Sequence, residues 1–99
     1  MCLSNGNFEG LGPKREKELE KSCKALGFAE SPVVIDDPDL QDGPNNKWAP
    51  LVVAENVERI LSNKASEGEQ IDIIVTFDEY GISSHPNHID IHNGIKQLY

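Results

Sequence analysis

Ile71-Asp72-Ile73-Ile74-Val75-Thr76-Phe77 is the densest β-branched run of the chain, bounded by Ser66-Glu67-Gly68-Glu69 on one side and by the segment Asp78 to Ser84 on the other. Branched side chains are stiff at χ1 and suit a pleated, buried surface, so the run predicts a strand. Just upstream, from Pro50 to Lys64, Val53, Val57, Ile60 and Leu61 recur at helical spacing, with Glu55, Glu58, Arg59 and Lys64 on the remaining face. That pattern predicts an amphipathic helix. Val33-Val34-Ile35 is a shorter apolar run that ends abruptly in acids, as a buried strand does, and Asp36 to Pro44 is rich in turn formers. Pro13 to Gly27 predicts another helix, with Leu19, Cys23 and Leu26 at i, i+4, i+7 and Gly27 as its stop. After the central run, Pro86 is placed to open a last helix reaching about Gln97.

The resulting order is loop, helix, strand, helix, strand, helix. Strands alternating with amphipathic helices predict an α/β fold, a parallel sheet with right-handed crossovers and helices on both faces. Two strands cannot complete such a sheet, because each would keep an unpaired edge. Met1-Cys2-Leu3 reads as the end of a further strand and Ile95 to Tyr99 as a helix still in progress. The expectation is that residues 1–99 are the central part of a single domain, truncated at both ends and with the sheet incomplete.

Composition narrows the function classes. In 99 residues, 17 acids stand against 9 bases, a net charge of -8. A polyanion must be met by clustered Lys and Arg, so nucleic acid is not an expected partner. The longest apolar stretches, around Leu51-Val52-Val53-Ala54 and Ile73-Ile74-Val75, fall far below the roughly 18 residues that span a bilayer. Met1-Cys2-Leu3 runs straight into polar residues without the pattern of a signal peptide, so the chain reads as soluble and cytosolic. Cys2 and Cys23 are too few for a disulfide framework and are expected as reduced thiols.

The chemistry gathers in His85-Pro86-Asn87-His88, directly after the loop that leaves the central run; with His92, all three histidines fall within eight residues. In open α/β sheets the ligand crevice lies at the carboxyl ends of the strands, where this loop belongs. Two imidazoles three residues apart at a helix start can address one spot, one as a zinc ligand and the other facing a substrate. The same H-x-x-H can equally be a polar turn with surface histidines. His92, one turn on, reads as an exposed helix histidine, with a third-ligand role as the alternative. Two further loops belong to the same rim. Ser4 to Gly12 is glycine-rich and followed by Lys14-Arg15, which suits either a phosphate cradle or a plain linker. Asp36, Asp37, Asp39 and Asp42 suit either sugar hydroxyls or a cation, or the capping of backbone donors.

Taken together, Leu3-Ser4-Asn5-Gly6-Asn7, Gly12, Arg15-Glu16-Lys17-Glu18-Leu19, Ser22-Cys23, Leu26-Gly27, Val34-Ile35-Asp36, Pro38-Asp39-Leu40, Trp48, Val75-Thr76-Phe77-Asp78 and His85-Pro86-Asn87-His88-Ile89 resemble the N-acetylglucosaminyl-phosphatidylinositol de-N-acetylases (PIG-L), of the wider LmbE-like group of zinc deacetylases. The likeness runs over nearly the whole chain. It implies a Rossmann-like α/β fold with one zinc, and removal of acetate from N-acetylglucosaminyl-phosphatidylinositol in glycosylphosphatidylinositol-anchor synthesis at the cytosolic face of the endoplasmic reticulum membrane. By the same resemblance His88 is the metal ligand and His85 the catalytic histidine that stabilises the tetrahedral intermediate. Arg15 and Asp39 are substrate-binding, with Asp42 a substitute for Asp39. The family's A-H-P-D-D-E stretch, which carries two more zinc ligands and the general base, is absent from these residues. The chain alone is therefore expected to bind zinc weakly and not to turn over substrate. Two other readings remain: a non-catalytic remnant that binds a sugar lipid or a protein, and a deacetylase of soluble N-acetylglucosaminyl compounds. The Gly81-Ile82-Ser83-Ser84 insertion resembles the lipid-acting branch.

Overall fold

The structure is a computed structural model describing residues 1–99. Its chain divides into two compact units, Met1–Gly43 and Pro44–Tyr99.

In the first unit a 3-10 turn, Asn7–Glu9, leads into helix α1, Gly12–Ala25. Pro13 sits in the first turn, where its missing N–H costs nothing. At the other end Gly27 takes φ 80, and the Phe28 amide donates to the Cys23 carbonyl at 3.0 Å. This is the six-to-one bond of a Schellman stop, and it needs a residue that accepts left-handed dihedrals. Past it the chain bends at Ala29 and Glu30 and reaches Val34, which forms a single parallel bridge with Cys2; the Cys2 amide donates to Val33 O and the Ile35 amide to Cys2 O, each at 2.8 Å. Met1-Cys2-Leu3, read from the sequence as the end of a further strand, thus meets Val33-Val34-Ile35 over a single bridge and forms no strand. Leu3, Ile35 and Leu40 are buried.

The second unit is built from α2, Pro50–Ser66, a one-turn α3, Gly81–Ser84, and α4, Pro86–Leu98. Trp48, Val53, Ala54 and Val57 are its buried apolar residues. Helices α2 and α4 lie against each other, and at Gly94 they come close enough that only glycine fits. A Cβ there would fall on Val53 Cβ and Cγ1 and sit 3.1 Å from the Pro50 carbonyl oxygen. Before α2, the Trp48 amide donates to Asp90 Oδ2 at 2.9 Å, so a charged acceptor buried on α4 fixes the entry of the chain.

The expected parallel sheet is not seen. Residues 71–77 form no strand, and Ile73 and Val75 are 79% and 91% exposed. A strand is defined by the ladder it joins, and no other stretch of the chain pairs with this one. The same shortage shows on α1, whose predicted stripe of Leu19, Cys23 and Leu26 is half-covered at best, with Leu26 76% exposed. No helix is long and apolar enough to cross a membrane. Both cysteines are free thiols, as expected.

Candidate active site: a stacked histidine pair

In the second unit, the residues after 77 are organised by one carboxylate. Asp78 Oδ1 accepts from the Tyr80 amide at 3.1 Å and the Ile82 amide at 3.2 Å, and the Asp78 carbonyl accepts from the Gly81 amide at 3.1 Å. The turn so formed contains two non-glycine residues with left-handed φ, Ile82 at 64° and Ser84 at 63°. Such dihedrals are costly, most of all for a branched side chain, and occur where the surroundings impose them. Gly81 also has positive φ, 58°, and a Cβ on it would lie 2.9 Å from His88 Cβ. Only glycine lets the turn approach α4 this closely.

His85 caps α4 and His88 lies in its first turn. Their rings stack, with centroids 4.6 Å apart and planes 26° from parallel, so the structure brings the predicted pair together. His88 also stacks with Phe77, at 4.1 Å and 5°. Both imidazoles are half-buried.

The nitrogens of the two rings are in opposite states. His85 Nδ1 accepts from the Asn87 amide at 3.2 Å, so in the neutral ring the proton is on Nε2, which is then a donor. His88 Nδ1 lies 3.3 Å from the Gly81 carbonyl oxygen. A carbonyl only accepts, so this Nδ1 carries the proton and Nε2 keeps its lone pair. A ring held through Nδ1 on a carbonyl, with Nε2 open, is how protein imidazoles are prepared for a metal. The pair therefore offers one electron-pair donor for a cation and one N–H for an anionic oxygen. His88 fits a metal ligand by this donor chemistry, yet no group of three or more His, Cys, Asp or Glu side chains is gathered to complete a zinc set.

His92 departs from the reading of an exposed helix histidine: it is half-buried, and its Nδ1 is 3.0 Å from the Phe77 carbonyl oxygen. Asn87, between the two site histidines, is 2% exposed and donates from Nδ2 to the Asn46 carbonyl at 2.7 Å, which anchors the start of α4. Phe77, Asp78 and Asn87 thus shape the site although the sequence reading gives none of them a role. Their signal is positional, one residue inside the H-P-N-H motif and two immediately before the glycine turn.

The first unit holds Arg15 and the acidic loop. Arg15 Nη1 donates to the Gly6 carbonyl at 3.0 Å and lies 3.9 Å from Asp42 Oδ2. The guanidinium's acidic neighbour is thus Asp42, while Asp39 is exposed, its amide donating to Asp37 Oδ1 at 2.8 Å. Asp37 is a turn cap of the kind its composition suggests. The glycine-rich loop uses its own side chains on its amides: Ser4 Oγ accepts from Gly6 and Asn7 Oδ1 from Gly12, at 3.0 and 2.9 Å.

The second unit thus presents an imidazole pair with one electron-pair donor and one N–H; the first, taken by itself, presents a cation beside a carboxylate. The family model GlcNAc-PI de-N-acetylase (PIG-L) matches residues 1–99, and the chain belongs to this family, for which an LmbE-like α/β fold is implied. It is 46% identical over 98 residues, 98% of its length, to the "Probable N-acetylglucosaminyl-phosphatidylinositol de-N-acetylase" of Dictyostelium discoideum, covering 36% of that protein. Identity to the protein of the same name from Schizosaccharomyces pombe is 42% over 99 residues, 99% of this chain and 38% of the relative. A more distant relative, the "1D-myo-inositol 2-acetamido-2-deoxy-alpha-D-glucopyranoside deacetylase" of Nocardiopsis dassonvillei, is 28% identical over 96 residues, 90% of this chain and 34% of the relative. The chain spans about a third of the length of the curated relatives it matches. No solved structure matches it.

Proposed function

We propose that this chain contributes the histidine half of a zinc-dependent deacetylase site that hydrolyses the acetamide of N-acetylglucosaminyl-phosphatidylinositol, releasing acetate and the free amine, at the cytosolic face of the endoplasmic reticulum. The observation that carries the reading is the stacked His85–His88 pair with opposite proton placement, in a chain matched from end to end by the family model.

In this reading His88 would hold the metal through Nε2, with the Gly81 carbonyl on its Nδ1 fixing the ring. A zinc held there would supply polarisation of the acetamide carbonyl and would acidify a bound water toward a pKa of about 7. His85 donates its Nε2 proton in a hydrogen bond to the carbonyl oxygen as negative charge gathers there. The Asn87 amide on Nδ1 keeps that proton on Nε2, so the donor is oriented before substrate arrives. A preplaced donor of this kind is worth about 3 kcal/mol in the transition state. By the family resemblance Arg15 would meet phosphate or sugar oxygens of the substrate, and Asp39, with Asp42 as its substitute, sugar hydroxyls.

The test is acetate release by the full-length protein, with zinc supplied, from the inositol phospholipid and from the soluble glucosaminyl-inositol headgroup. The lipid is expected to be preferred; equal or faster turnover of the headgroup would assign the chain to the soluble-substrate group, and no turnover of either would favour the binding remnant. His85→Ala should lower kcat by about 10²–10³-fold with zinc content unchanged. A loss of zinc together with activity would instead make His85 a ligand.

A further inference from the structure

His88 and His92 stand one helical turn apart on α4, and each turns Nδ1 toward a carbonyl of the segment that precedes the helix: Gly81 O at 3.3 Å for His88, Phe77 O at 3.0 Å for His92. The shorter of these two bonds lies on the histidine outside the H-P-N-H motif. Its acceptor belongs to the residue whose ring stacks on His88, 4.1 Å between centroids and 5° between planes. Phe77 ends a run that joins no β ladder, so sheet pairing does not hold it. The bond from His92 ties the backbone of Phe77 to the helix that carries His88.

We propose that His92 is a positioning residue: by holding the Phe77 carbonyl it presses the Phe77 ring onto His88 and so fixes the orientation and the Nδ1–H tautomer of His88. The tautomer follows because the Gly81 bond requires the ring plane in one setting; a ring free to turn about χ2 loses that carbonyl and exchanges protons between its nitrogens. The consequence for catalysis rests on the reading of His88 as the metal-binding imidazole. Groups that orient a ligand without touching the metal commonly change metal affinity about 10–100-fold.

The discriminating experiment reads His88 directly. In labelled protein without metal, at a pH where imidazoles are neutral, long-range proton–nitrogen correlation should show His88 with a protonated Nδ1 and a bare Nε2. Its carbon-bound protons should be shifted upfield by the Phe77 ring. In His92→Ala the two nitrogen shifts are expected to converge toward a tautomer mixture and the upfield shift to shrink. His92→Asn places an amide nitrogen where Nδ1 was and should restore both signatures, and Phe77→Leu should remove the upfield shift with the His92 bond retained. Zinc affinity should follow the same order, falling about 10-fold or more in His92→Ala and recovering in His92→Asn. Unchanged His88 signals in His92→Ala, or an Asn variant that behaves like the Ala variant, would overturn the proposal. Should His92→Ala fail to fold, the Asn and Leu variants decide alone. Failure of the metal reading has a separate signature, zinc content unchanged in His88→Ala.

Discussion

In the full-length protein, His88→Ala is expected to abolish zinc retention and, with it, hydrolysis, while leaving the helical content of the second unit in place. The ring is the one with an open Nε2 and a carbonyl behind its Nδ1. Its removal leaves a methyl that can still accept the contact from Gly81, so the turn before α4 has no steric reason to collapse. A catalytic zinc site takes three protein ligands and one open position, and loss of a ligand from so small a set is not made good by solvent. Metal analysis after dialysis reads the result. His88→Gln should recover little, since an amide is a poor substitute for an imidazole lone pair. Zinc content equal to the unsubstituted protein would remove His88 from the ligand set.

Gly94→Ala carries the largest expected effect on stability. Elsewhere on a helix the exchange would help, because alanine is favoured over glycine by about 1 kcal/mol in a helix interior. Here the added methyl falls on Val53, which is fully buried, and meets the Pro50 carbonyl at 3.1 Å. A fully buried side chain and a backbone oxygen cannot both step aside, so α2 must move. Overpacking costs of this kind are typically about 1–3 kcal/mol and can exceed that. The collision with backbone places this site at the upper end, leaving a net loss of about 1–2 kcal/mol after the propensity gain. For a chain of this size each kcal/mol corresponds to about 4–8 °C in Tm. Thermal unfolding followed by circular dichroism measures it. Val53→Ala should be destabilising alone yet partly compensate Gly94→Ala, the coupling expected of residues in direct contact. A Tm for Gly94→Ala at or above the parent would show that the helices separate more easily than their packing implies.

The helices were legible in the sequence because their signals are local. Proline at the opening turn, glycine after α1 and the i, i+4 spacing of Val53 and Val57 need no distant partner to take effect, and α1, α2 and α4 begin and end within about two residues of where these signals put them. The run from Ile71 to Phe77 carries an equally strong signal for a strand. That signal describes only what the residues would do beside neighbours, and pairing is a property of two segments. The proximity of His85 and His88 was legible from their spacing. Their opposite protonation was not, since it is set by a backbone amide and a backbone carbonyl that no side-chain pattern reveals. Arg15 met Asp42 and not Asp39, a choice made by the path of a turn-rich loop rather than by residue type. His92 was misjudged for a related reason: the carbonyl that covers it comes from a residue fifteen positions earlier.

The unpaired run has a further consequence for handling the protein. Backbone outside any helix or ladder, with accessible apolar side chains, is what a protease cleft binds, and amides outside any ladder exchange their protons with water without waiting for an opening event. Limited digestion with a protease that prefers aliphatic residues should therefore nick the chain first between Ile71 and Val75, and deuterium should enter these amides well before those of α2. Protection throughout that stretch would mean that, in solution, something already lies alongside it.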